Sequence, residues 1–162
     1  MRPEKIVIEL QNICNHKLNI MKQILSLTIA QKEALTNKED QGINLLNQII
    51  EEKQSLIDIV NQLDHDFITN YEAIKKLLKI DSFEECTEEP VKGFKQLKDT
   101  VNEIVNVTKD ISQLDKENME MANSNMNELK AQLKNIKTGK KVINSYNRKY
   151  VETPSILIDK KR

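Results

Sequence analysis

From Glu4 to about Thr36, apolar or near-apolar side chains recur at Leu10, Cys14, Leu18, Met21, Leu25 and Thr28. Alternating steps of three and four keep these positions on one face, and the spacing predicts a first helix over 4–36. The polar stretch Thr36-Asn37-Lys38-Glu39-Asp40 reads as a turn. Beyond it, Leu46, Ile49, Leu56, Val60, Leu63, Phe67, Ile74 and Leu77 follow a heptad that only Lys53 and Asn70 interrupt. That stripe predicts a second helix over 40–79, about 60 Å long at 1.5 Å per residue, with coiled-coil-like packing.

The segment from Asp81 to Pro90 carries five acids, no base and no helical stripe. It is expected to be a loop whose closing proline opens a third helix over 91–137. Phe94, Leu97, Val101, Ile104, Thr108 and Ile111 share one face of that helix, and the stripe resumes at Met119, Ala122, Met126, Leu129, Leu133 and Ile136. Joining the two runs near Asp115 requires consecutive steps of four, a stutter that locally unwinds a supercoil. Thr138-Gly139 supply a stop signal.

Helices with one apolar stripe draw their stability from burying it, so the three must fold on one another or on another copy. Short connections favour an up-down-up arrangement. The expected fold is all-α: an elongated antiparallel three-helix bundle or coiled coil over 1–137, followed by a flexible or extended non-helical tail over 138–162. An apolar face left over by the bundle would permit a homo-oligomer.

Composition narrows the function classes. Only 4% of the 162 residues are aromatic, none is Trp, and 31% are charged, which suits long exposed helices better than a thick interior. Twenty-five basic and 25 acidic residues give a net charge of 0, so no global positive field exists to collect nucleic acid. The opening MRPEKIVIEL lacks the apolar run of a signal peptide, and no stretch is apolar for long enough to cross a bilayer; a cytoplasmic protein is expected.

Leu63-Asp64-His65-Asp66-Phe67 places a histidine between two carboxylates. With Leu63 and Phe67 at buried heptad positions, residues 64 to 66 project outward as a solvated face rather than converge on a metal. His16, beside Asn15 and Lys17, lacks the Glu-x-x-His spacing of carboxylate-bridged bundles. Cys14 lies on the first apolar stripe and reads as a small buried hydrophobe. Cys86 lies among Glu84, Glu85, Glu88 and Glu89, whose charges would raise a thiol pKa. There is no phosphate-binding glycine loop and no Cys-x-x-Cys pair, and no enzyme activity, cofactor or metal is expected.

What remains is surface for partners. Met119, Met121 and Met126 cluster at the stutter, and methionine adapts to varied apolar surfaces. These residues either fill the bundle core or offer an apolar face to another protein's amphipathic helix. The tail sets Lys140, Lys141, Arg148, Lys149, Lys160, Lys161 and Arg162 against Glu152 and Asp159. Its Tyr146 and Tyr150 are of the large, rigid, hydrogen-bonding type that anchors linear recognition elements.

Three stretches together carry a family resemblance: EKQSLIDIVNQLDHDF on the second helix, LDKEN ahead of Leu129 and Leu133, and GKKVINSYN leading to PSILIDKKR. The chain resembles the FlgN-type flagellar export chaperones over most of its length. The resemblance implies a cytosolic, non-enzymatic helical chaperone that binds the apolar C-terminal helices of hook-associated proteins. Such a chaperone prevents their premature assembly and delivers them to the cytosolic domain of the export gate. It implies client contacts at Met126, Leu129, Leu133 and Ile136, to which the methionine-rich stretch adds Met119, and gate contacts at Tyr146, with Tyr150 as a second candidate. The apolar Ile156-Leu157-Ile158 departs from the glycine-rich ends of some relatives, so this tail either packs on its own bundle or pairs as a strand. The alternative function is a structural coiled-coil scaffold or tethering subunit.

Overall fold

The computed structural model describes residues 2–37, 39–82, 85 and 89–135. Three helices account for most of them: α1 (Pro3–Thr36), α2 (Asp40–Leu78) and α3 (Phe94–Asn135), with no strand among the described residues. The fold is all-α, as the periodicity predicts. The tail over 138–162 lies outside the described residues.

The chain forms two compact units, each built from a segment of every helix. The first combines residues 1–25 with 56–110. Its core gathers Ile6, Val7, Leu10 and Cys14 of α1, Ile74 of α2, and Val91, Phe94, Leu97 and Ile104. The second combines 26–55 with 111 onward, around Ala34, Leu35, Leu46, Ile49, Ile50 and Ala122. The α1 stripe is confirmed at Leu10, Cys14, Met21 and Thr28, all buried.

Sequence spacing misplaces some of the other stripes. Leu77 is 48% exposed, and Thr108 is exposed, its hydroxyl donating back to the Ile104 carbonyl at 2.8 Å. Ile50 and Ile57 are buried although they fall outside the heptad positions. A face packed against two neighbouring helices is wider than the seam of a two-stranded coiled coil.

The helix ends have local causes. Pro3, with its φ already helical and no amide hydrogen to orphan, opens α1. At the C-terminal end of α2, Lys79 adopts φ 55° and the Ile80 amide donates to the Lys75 carbonyl at 3.1 Å. This is a Schellman termination, and Ile80 packs onto the first core. α3 starts at Phe94 rather than at 91, because Pro90 to Lys92 form a turn that buries Val91 and Gly93 reverses the chain at φ 89°. Glu89 takes over the capping, its carboxylate accepting the Gly93 amide at 2.8 Å.

The α1–α2 turn is tight. The Thr36 hydroxyl donates to the Glu33 carbonyl at 2.6 Å, the Asn37 amide to the Ala34 carbonyl at 3.2 Å, and the Asn37 side chain accepts the Glu39 amide at 3.1 Å. α2 begins so close to the end of α1 that a Cβ on Gly42 would stand 2.2 Å from the Asn37 carbonyl oxygen and 3.1 Å from that of Ala34. Both obstacles are backbone, which cannot swing aside as a side chain would.

Gly42→Ala is therefore expected to destabilise the protein by about 1–3 kcal/mol. The check is chemical denaturation followed by circular dichroism. An unchanged midpoint would mean that the turn yields without cost.

Candidate partner-binding site

The second unit is held in register by polar groups. Lys53, which interrupts the α2 heptad, has an exposure of 0%. Its ammonium donates to the Gln31 side-chain oxygen of α1 at 3.0 Å and to the Asp115 carboxylate of α3 at 3.0 Å. Burial pushes the Lys53 pKa down from 10.5 to about 8, while the carboxylate beside it favours the charged form. Thr28, Gln31 and Asn118 are buried around the same level, and the Asn118 amide group donates to the Thr28 carbonyl at 3.1 Å.

This polar layer accounts for the stutter. Asp115 is mostly enclosed, with a side-chain exposure of 14%, and Asn118 is buried at 2%. The inward stripe of α3 thus runs through Ile111, Asp115, Asn118, Ala122 and Met126, with polar side chains occupying two turns of it. Asn118, rather than Met119, takes the inward slot; Met119 and Met121 are half-buried. Consecutive steps of four do occur, displaced to 118–122–126.

A second asparagine extends the register. The Asn125 side chain donates to the Leu35 carbonyl at 2.8 Å, satisfying one of the carbonyls that the last turn of α1 leaves without an intrahelical donor. Thr28 with Asn118 and Leu35 with Asn125 are both 90 residues apart. Within this unit α1 and α3 consequently run parallel in fixed register. α1 stops at Thr36, level with about residue 126 of α3, whereas α3 continues to Asn135. The nine residues between, roughly 13 Å of helix, extend past the end of α1.

On that overhang Leu129 and Leu133 are half-buried, while Met126 lies just within the unit at 7% exposure. A groove of about 90 Å³ opens between the overhang and the α1–α2 turn, with Leu35, Ile43, Leu46 and Leu129 as its apolar wall and Asn125, Glu128 and Gln132 toward its edge. Of the expected client contacts, the structure brings Leu129 to this groove, sets Leu133 one turn beyond it and Met119 in the body of the unit. Ile136, Tyr146 and Tyr150 lie outside the described residues. Sequence spacing gave no sign of Ile43 and Leu46 as groove residues, because the groove exists only where the turn meets α3.

His65 is exposed, while Asp64 pairs with Lys17 and Asp66 accepts from Gln62 at 3.2 Å. These two aspartates are thus engaged with other side chains, and no metal-binding group of three or more His, Cys, Asp or Glu side chains exists among the described residues. Cys14 is buried, and burial pushes its thiol pKa from 9.0 to about 11, away from the reactive thiolate. Cys86 lies outside the described residues. No described helix is long and apolar enough to cross a membrane.

Among the described residues, the second unit thus sets a groove beside the half-buried Leu129 and Leu133 at the end of α3. A family model described as FlgN protein matches residues 1–152. The chain belongs to the FlgN family, a family of flagellar export chaperones that is not known for enzymatic activity. Comparison with curated proteins and with solved structures finds no match.

The buried ion pair generates a test with a defined sign. Native Lys53 releases its proton near pH 8 and the unfolded chain near 10.5. Between these values the unfolded state binds more protons, so the contribution of Lys53 makes stability rise with pH across that window. Asp115→Leu, which leaves the ammonium without its carboxylate, is expected to cost about 3–5 kcal/mol at pH 7, and the double variant Lys53→Met/Asp115→Leu to come within about 1 kcal/mol of wild type or exceed it. Denaturant titrations at pH 7 and 9.5 check both; the Asp115→Leu deficit should shrink at the higher pH, and a deficit that grew would contradict the assignment.

Proposed function

We propose that this chaperone binds the apolar C-terminal helices of hook-associated proteins through the end of α3. By covering them it keeps its clients from assembling early and carries them to the cytosolic domain of the flagellar export gate. The observation that carries the reading is the overhang: α3 runs on past α1 with Leu129 and Leu133 half-covered beside an apolar groove. An amphipathic client helix laid there removes apolar surface of both partners from water, at about 25 cal/mol per Å². Leu129 and Leu133 make first contact, Met126 and Met119 adapt beneath and beside them, and Ile136 continues the same face by spacing. Tyr146, with Tyr150 as the alternative, is the gate contact, on a segment separate from the client face. The working place is the cytoplasm, and no nucleic acid takes part.

Leu129→Asp combined with Leu133→Asp is expected to weaken binding of a hook-associated protein's C-terminal helix by about tenfold or more, with helical content unchanged by circular dichroism. Isothermal titration at micromolar concentrations reads the affinity. No complex for the wild type would reject the client assignment. Tyr146→Ala is expected to leave client affinity intact while weakening capture by the gate domain, and equal loss of both would remove the division of labour.

A further inference from the structure

We propose that Ile156-Leu157-Ile158, in the part of the chain outside the described residues, docks in the groove walled by Leu35, Ile43, Leu46 and Leu129 when no partner is bound. The inference rests on the reading above only in that the tail and the client would share one surface.

Size, reach and charge support it. The groove volume of about 90 Å³ is smaller than the roughly 150 Å³ cavity that holds a benzene ring, which suits about one branched aliphatic side chain. The last described residue, Asn135, stands about one turn beyond the groove's Gln132. Ile156 follows Asn135 by 21 residues, a span of up to about 70 Å. The return to Leu129 is about 9 Å, six residues of helix. Reach imposes no obstacle, and a tether of this length holds the triplet at an effective concentration on the order of millimolar.

Beyond Asn135 the triplet is the densest apolar run, and after Asp159 come Lys160, Lys161 and Arg162, a net positive end. The charged residue at the groove's edge is acidic, Glu128. A groove that binds a foreign amphipathic helix is thus within reach of an apolar-then-basic segment of its own chain. That segment needs no second molecule to arrive.

The test uses the full chain labelled at isoleucine and leucine methyls. In I156S/L157S/I158S the methyl resonances of Ile43 and Leu129 are expected to shift relative to wild type. Adding the peptide PSILIDKKR to that variant should move them back. Resonances unchanged by the triple substitution would overturn the proposal. So would a wild-type shift that disappears on tenfold dilution, which would mark a second copy as the occupant.

A client arm separates this inference from the functional reading. The triple variant is expected to bind a hook-associated protein's C-terminal helix about three- to tenfold more tightly than wild type, since the groove is no longer occupied in advance. Failure of that helix to bind either protein would count against the client assignment, while the methyl shifts would still decide the tail contact. Equal binding by both would place the client elsewhere on α3 and reject the shared groove.

Discussion

A single buried ammonium organises the second unit. Apolar contacts are non-directional, so a helix packed only by them can slide by a turn at small cost. Lys53 cannot. Its charge has been taken out of water, and the hydrogen bonds to Gln31 and Asp115 offset that penalty only while α1, α2 and α3 keep one alignment. The pair does not make the unit more stable than a well-packed apolar layer would; it makes other registers costly.

The rest of the site inherits that alignment. With Asp115 opposite Lys53, Asn118 reaches the Thr28 carbonyl and Asn125 reaches the Leu35 carbonyl. The second contact falls at the last turn of α1, whose carbonyls would otherwise look to water. α1 then ends at a turn too tight for any residue but glycine at position 42. α3 runs on past that level to Asn135. The apolar residues of its next turns are covered on one side by the start of α2 and open on the other, which makes the groove an outcome of where α1 ends.

This arrangement suits a chaperone of the FlgN family. A client-holding surface must be apolar enough to bind yet small enough to leave the free protein soluble. The half-buried Leu129 and Leu133 at the end of α3 fit the proposed client face on both counts. The Lys53–Asp115 lock lies about four turns of α3 before Leu129, so the proposed client face stands apart from the buried charge.

Helix periodicity alone determined the class of the fold. Three stripes separated by a polar turn and an acidic loop could only be three helices, and Leu10, Cys14 and Met21 are inside because their spacing puts them there. The residue-type view failed where a polar side chain occupies an inward position. Lys53 reads as an interruption and Asp115 as a gap, yet the two fill each other's vacancy, and no local pattern records a contact between residues 62 apart in sequence. The loop-to-helix boundary at Phe94 likewise depended on Val91 finding the core. Leu129 was legible as an apolar position near the end of a stripe, but its half-exposure was not. That depended on α1 stopping short beside it, a relation that exists only once the helices are aligned in three dimensions.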